Sequence, residues 1–194
     1  MASAVSLDGF LADESDQVGP LHDFYFNGDT PITAGNAHTH FRTSATSAGY
    51  VNEAWSRIGA IVIGRRLFDL TDGWGGVPVA GDRVFVVTHS VPTDWEYMDT
   101  APFTFITDGV ASAIEQAKEC AGPDRDVALN GGDVGGQAFE AGLVDELDVA
   151  LVPAVFGSGK RFFGDFAKGP VLLDDPTVVP SERVTHLRYK VRKD

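Results

Sequence analysis

The residues of this chain whose types and spacing suit chemistry are Asp8 with Gly9, Gly64 with Arg65 and Arg66, Thr88-His89-Ser90, and the pair Gly131-Gly132. Each group follows a short apolar run of β type. Ile63-Gly64-Arg65-Arg66 opens a helical pattern, Thr88-His89-Ser90 ends a strand, and Asn130-Gly131-Gly132-Asp133-Val134-Gly135-Gly136 links a strand to a helix. Glycine lets backbone amides approach a phosphate closely, and a helix N-terminus adds about half a positive charge to hold an anion. Together the three turns could cradle a dinucleotide; singly, each is also plain turn chemistry. The Gly131 turn is the most specific, because two adjacent glycines precede a helix. It is not the G-x-G-x-x-G fingerprint with an acidic residue about 20 positions on.

Arg65 and Arg66 are the one basic pair beside such a turn. A planar, permanently charged guanidinium there suits a phosphate monoester or diphosphate, and the plainer alternative is a helix-surface arginine paired with Asp69. Gly157-Ser158-Gly159-Lys160-Arg161 is a second glycine-basic cluster without Walker spacing; it reads equally as contact with an anionic substrate and as a tight turn before Phe162-Phe163. His38 and His40 lack the carboxylate spacing of a metal site, so no metal is expected. Ser158 lies outside any G-x-S-x-G elbow. Asp8 can exchange hydrogen bonds with a heterocycle at a strand end, or can cap a turn, as Asp-Gly commonly does.

The elements that position these residues are of α/β type. Ala60–Ile63, Arg83–Thr88, Phe103–Ile106, Val127–Leu129 and Leu147–Val152 read as strands, rich in β-branched and aromatic residues, and Ala4–Ser6 as the end of another. Helical patterns cover Val51–Ile58, Arg65–Leu70, Asp108–Cys120, with Asp108 as cap or first-turn acid, and Asp133–Ala141, with Gly142 at the left-handed terminus. Val171–Leu173, Thr177–Val179 and Val184–Val191 read as late strands, with Leu187, Tyr189 and Val191 toward the core. Ending in strands implies a mixed sheet with an antiparallel edge. Residues 13–49 show no sustained period and read as one long loop, with Phe24-Tyr25-Phe26 either walling a pocket or oligomer contact, or anchoring the loop on the core.

A chain of 194 residues defaults to one domain over 1–194 with a single core. Its 15 basic and 28 acidic residues give a net charge of −13, a field that repels nucleic acid and anionic membranes. Cys120 is the only cysteine, which rules out an internal disulfide and fits a reducing cytoplasm. No signal-peptide pattern opens the chain and no run of about 18 apolar residues occurs, so no membrane span is expected.

The ordered motifs resemble the dihydrofolate-reductase-like fold, and within it the branch that holds the C-terminal reductase domain of riboflavin biosynthesis. The pieces that carry the resemblance are Ser6-Leu7-Asp8-Gly9-Phe10-Leu11-Ala12, Ile63-Gly64-Arg65-Arg66-Leu67-Phe68, Asn130-Gly131-Gly132, Gly142-Leu143-Val144-Asp145-Glu146-Leu147, and the run from Val152-Pro153 through Gly157-Ser158-Gly159-Lys160-Arg161-Phe162-Phe163. The likeness covers nearly the whole chain. It implies a three-layer α/β/α arrangement around a mixed, mostly parallel sheet with antiparallel C-terminal edge strands.

The resemblance further implies a reductase that uses NADPH to transfer a hydride to a small heterocycle. Gly64, Arg65 and Arg66 would meet the cofactor's phosphates, Thr88, His89 and Ser90 its adenosine side, and Gly131, Gly132, Val134 and Gly135 its pyrophosphate and nicotinamide ribose. Asp8 and Gly9 would lie by the reacting ring, Asp8 serving as proton donor if burial raises its pKa. The family's best-known substrate is 5-amino-6-(5-phosphoribosylamino)uracil. Reduction of dihydrofolate or another pterin is an alternative, with Glu53 as the acidic residue facing it, and a non-catalytic dinucleotide-binding module is another. Relatives preferring the phosphorylated dinucleotide often carry arginine where this chain has His89. The family often forms homodimers.

Overall fold

The computed structural model of the chain describes residues 1–36 and 40–193. In chain order the chain forms β1 (Ala2–Ser6), β2 (Phe10–Ala12), a 3-10 helix (Gly19–Phe26), β3 (Thr30–Pro31), β4 (Arg42–Thr43), α1 (Ala45–Ser56), β5 (Ile58–Gly64) and α2 (Arg65–Thr71). After a second 3-10 segment (Asp72–Gly76) come β6 (Arg83–Val87), β7 (Phe103–Ile106), α3 (Val110–Ala121), β8 (Asp126–Leu129), α4 (Asp133–Glu140), β9 (Glu146–Val152), β10 (Lys160–Arg161), β11 (Thr177–Ser181) and β12 (Val184–Lys190). The chain divides into two compact units. The first comprises Met1–Ile32, Phe41–Val51 and Gly131–Asp194; the second comprises Thr33–His40 and Asn52–Asn130.

In the second unit β7, β6, β5 and β8 form a wholly parallel sheet in that order. Its strands read as unbroken apolar runs because residues on both faces are buried: Ala60, Ile61, Val62 and Ile63 of β5 and Val84, Phe85 and Val86 of β6 are all in the core. Phe68 of α2, Trp95 and Phe103 pack with Ile61, Ile63, Val84 and Val86 in one cluster, and the Trp95 indole donates to the Asp72 carboxylate at 3.1 Å. Helix α3 buries Val110, Ala113, Ile114 and Ala117 on the face its spacing predicts, but the face ends on buried Ala121 rather than on Cys120, which is only half-buried. Its cap differs from the expectation. Gly109, at φ 104°, takes the N-cap position, and no side chain caps the helix, so Asp108 does not do so.

In the first unit the sheet order is β1-β9-β12-β11, with β1 parallel to β9 and the last two strands antiparallel, as the terminal run of strands implies. Residues 13–49 are not one irregular loop. They hold the 3-10 helix, which starts with Pro20 in its first turn, the β3–β4 ladder, and the first residues of α1. Leu21 and Phe24 of the 3-10 helix are fully buried against Val152 and Val184, which makes Phe24 an anchor, while Phe26 is exposed.

Helix α1 begins six residues before the expected Val51 and ends at Ser56, because Ile58 already belongs to β5. Residues 171–173 form no strand of their own; Leu173 makes a single antiparallel bridge to Val191. The core-facing side of β12 is the opposite of the one expected. Val184 and His186 are buried, whereas Leu187, Tyr189 and Val191 are half-buried. The physical reason is the cover on the Val184–His186 side: the Phe24 ring stands edge-on to His186, the Tyr50 ring of α1 stacks on it at 4.4 Å, and Ser47 hydrogen-bonds it at 2.9 Å.

Candidate functional site

The second unit gathers Gly64, Arg65, Thr88 and Ser90 at the carboxyl ends of parallel strands, where open α/β sheets bind ligands. Gly64 pairs with Val87 in the β5–β6 register, so Arg65 and Thr88 leave neighbouring strands side by side. Arg65 Nη1 donates to the Ser90 carbonyl at 2.8 Å and lies 3.4 Å from Thr88 Oγ1, while Nε donates to Asp69 at 2.7 Å. The Thr88 hydroxyl, on a buried residue, also donates to the Ser90 carbonyl at 2.8 Å. Gly64, Arg65, Thr88 and Ser90 are thus brought together. The pairing with Asp69 and the strand-end placement of the guanidinium both hold, and Nη2 has no bond among the described residues. Arg66 and His89 are exposed beside this group.

In the first unit the Asp8–Gly9 turn is tied to the segment after β9. The Ser6 hydroxyl donates to Asp8 Oδ1 at 2.6 Å, and the amides of Phe156 and Gly157 donate to Oδ2 at 3.1 and 2.7 Å. These donors, Ser6 foremost, hold the Asp8 carboxyl below its ordinary value of 3.8 despite a smaller opposing effect of desolvation. Asp8 is exposed and ionised, so the burial that a proton-donating Asp8 requires is absent.

The Gly131 turn is also engaged within the unit. The Gly131 amide donates to Ser3 Oγ at 3.2 Å and the Gly132 amide to the Phe162 carbonyl at 2.8 Å. Those two amides therefore serve the fold. The amides that open α4, at Asp133, Val134 and Gly135, are the ones without intrahelical acceptors. Gly132 sits at φ 88°, a backbone that favours glycine, and directs the chain into α4. Val134 is half-buried and Gly135 is buried in the helix.

Glu53 is exposed on α1, and its carbonyl accepts the Ser56 hydroxyl at 2.8 Å. His38 lies outside the described residues. Lys160 is 3.9 Å from Glu14, and after a bend at Gly157, Ser158 and Gly159 the pair Lys160–Arg161 joins β2 as β10.

Sequence reasoning missed Ser6, a fully buried hydroxyl that also accepts the Phe10 amide at 2.9 Å; a polar residue at the buried end of an apolar strand was the available signal. It also missed the polar seam in which Ser47 bonds both His186 Nε2 and Ser181 Oγ at 2.9 Å. Farther along that seam the Tyr50 hydroxyl donates to Asp148 at 2.8 Å, and Arg188 pairs with the same carboxylate at 3.3 Å.

The chain has the dihydrofolate-reductase-like fold of the solved structures it is similar to, with a parallel sheet that carries glycine turns at its strand ends and a mixed sheet closed by antiparallel strands. The chain belongs to the RibD C-terminal domain family, whose model matches residues 1–178. Among solved structures it is similar to a protein from Shewanella sp. PV-4 named for riboflavin biosynthesis, with 19% identity, a TM-score of 0.67, and coverage of 99% of this chain and 97% of that one. A diaminohydroxyphosphoribosylaminopyrimidine deaminase/5-amino-6-(5-phosphoribosylamino)uracil reductase from Thermotoga maritima matches with 15% identity and a TM-score of 0.63; the match covers 98% of this chain and 55% of that longer one. Dihydrofolate reductase from Enterococcus faecalis, complexed with NADP(H) and RAB-propyl, matches with 14% identity and a TM-score of 0.56 over 99% of this chain and 95% of that one. No curated protein matches in sequence.

Proposed function

We propose that the protein is an NADPH-dependent oxidoreductase that reduces a C=N or C=O group of a small heterocycle, most like the reduction of 5-amino-6-(5-phosphoribosylamino)uracil. The observation that carries this reading is the Arg65 guanidinium, anchored at the carboxyl ends of β5 and β6 by Ser90 and Asp69 with one nitrogen uncommitted. Family membership and the reductases among the similar structures support it.

The residues present fit such a cofactor. In the second unit Gly64, Arg65 and Arg66 would hold its phosphates, with Thr88, His89 and Ser90 at its adenosine side. In the first unit the opening amides of α4 would hold its pyrophosphate, as a helix N-terminus binds an anion, with Gly131 and Gly132 shaping the turn. A reduced nicotinamide bound there would supply the hydride. Gly9 would line the position of the reacting ring, with Asp8, ionised and bonded to Ser6 and the 156–157 amides, holding that turn, and the proton would reach the product from water rather than from an Asp8 carboxyl.

The reading extends to a cytoplasmic homodimer. The lone Cys120 suits a reducing compartment, and β11, the outer strand of its sheet, offers an edge for pairing across a two-fold axis. No helix among the described residues is long and apolar enough to cross a membrane. The test is a titration with NADPH and with NADH, following reduced-nicotinamide fluorescence, and then oxidation of the bound dinucleotide by pyrimidine and pterin substrates. Binding followed by oxidation is expected. Binding of neither dinucleotide overturns the proposal, and binding without oxidation by any substrate leaves a dinucleotide-binding module.

A further inference from the structure

Asp8 and the start of α4 lie far apart in sequence, and one short segment joins them in the first unit. The Asp8 carboxylate receives the amides of Phe156 and Gly157. Two residues on, Gly159 lies flat against β2, where an added Cβ would stand 2.0 Å from the Ala12 carbonyl oxygen. Lys160 and Arg161 then pair with Ala12 and Phe10. Phe162, only 4% exposed, bonds in both directions through its main chain: its amide donates to the Gly9 carbonyl at 2.9 Å, and its carbonyl accepts the Gly132 amide at 2.8 Å. Its ring occupies the space beside Gly131, where a Cβ would come within 2.6 Å of Cδ2.

We infer that residues 156–162 form a strut that sets the first turn of α4 from the Asp8–Gly9 turn, and that Asp8 is a positioning residue for dinucleotide binding, acting as the strut's latch. The second half of this statement rests on the proposed reading that the α4 N-terminus receives the dinucleotide. Beyond Asp8 itself, every link from 156 to Gly132 is a main-chain hydrogen bond, a strand pairing or a close-packed glycine contact. No flexible side chain intervenes to absorb a displacement, and packed elements transmit shifts rather than damping them. Loss of the carboxylate frees the 156–157 amides, lets β10 lift from β2, and releases the Gly132 amide that fixes the entry into α4. Because coupling is reciprocal, dinucleotide held at α4 steadies the Asp8–Gly9 turn to the same degree.

The test uses Asp8→Ala and, away from any ligand-facing group, Gly159→Ala, whose methyl would unseat β10. Each should raise the Kd for NADPH about tenfold, the scale on which mutations along a coupled chain of contacts act. The KM for the dinucleotide should rise with it, while kcat falls by less than about threefold, a split that a group acting on the reacting ring does not give. The double variant should cost clearly less than the product of the two single effects, since both break one strut.

Hydrogen exchange of the Gly132 amide, without ligand, should be faster in both variants. If Asp8→Ala does not fold, Asp8→Asn, which keeps one accepting oxygen, carries the same measurements. Unchanged NADPH affinity with kcat down by about a hundredfold or more, the range of a lost general acid, overturns the inference. So does unchanged exchange at Gly132. A wild-type protein that binds neither dinucleotide sinks the reductase reading and the positioning role together, and the exchange measurement then still decides whether the strut exists.

Discussion

Gly136 and Gly49 stand in helices and invite the same substitution, yet the structure assigns them opposite outcomes. In α4, a Cβ on Gly136 would lie 2.1 Å from the Phe163 carbonyl oxygen and 2.9 Å from its carbon, and Gly136 is buried. Backbone cannot rotate away as a side chain can, so either α4 or the chain at Phe163 must move by about 1 Å to restore an ordinary contact; overpacking of that kind costs about 1–3 kcal/mol. The helical preference for alanine returns at most about 1 kcal/mol. A main-chain contact as short as 2.1 Å belongs in the upper part of the overpacking range, about 2–3 kcal/mol, so the net effect of Gly136→Ala is a loss of about 1–2 kcal/mol. Gly49, exposed on α1, has no atom within 4 Å of its added Cβ and no positive φ, so only the preference for alanine remains, a gain of about 0.5–1 kcal/mol.

Thermal unfolding at pH 7 reads both. For a chain of this length each kcal/mol moves Tm by about 2–4 °C, so Gly136→Ala should lower Tm by roughly 2–8 °C and Gly49→Ala should raise it by roughly 1–4 °C. A Gly136→Ala protein as stable as the wild type would refute the reasoning, because it would mean that α4 is not held against Phe163–Gly164. Gly49→Ala is the control that helix propensity acts as assumed.

Arg65→Ala should raise the Kd for NADPH about tenfold or more in fluorescence titration, and Arg65→Lys should not restore it, because one ammonium cannot meet Asp69 and Ser90 at once as the guanidinium does. Full rescue by lysine would count against the geometry. His89→Arg, at an exposed strand-end position, should raise the ratio of NADPH to NADH affinity several-fold; an unchanged ratio removes His89 from the adenosine side.

His186 and His22 both have pKa values lowered below 6.5 chiefly by burial, with Asp148 and Asp23 opposing weakly. The unfolded chain therefore binds more protons than the folded one below about pH 6.5, and stability is lost as pH falls from there toward the folded-state values, by up to about 1.4 kcal/mol per pH unit for each histidine. His186→Gln should make the fall in urea midpoint between about pH 7 and 5.5 shallower, and an equally steep fall in the variant would show that His186 is not a group responsible.

The strand and helix series was legible in the sequence wherever local periodicity and burial agree. Ala60–Ile63 and Phe103–Ile106 announce themselves because strands of a parallel sheet covered on both faces must be apolar throughout, and the α3 stripe from Val110 to Ala117 because 3.6-residue spacing has one buried face. The glycine turns at Gly64 and Gly131 were legible for the same local reason, being the places where a strand must hand over to a helix.

What tertiary structure alone decided is which partner each polar group meets. Asp-Gly after a strand is compatible with an acid at a reacting ring and with a capped turn, and only the arrival of the 156–157 amides, about 150 residues later in the chain, turns Asp8 into an acceptor and keeps it ionised. Alternation in β12 offers two faces of similar character, and the choice fell to the side that Phe24 and Tyr50 cover, so His186 went inside and Leu187 stayed half-exposed. Periodicity is a property of neighbours along the chain and survives in the sequence. Hydrogen-bond partners and cover are properties of neighbours in space, and no local pattern encodes them.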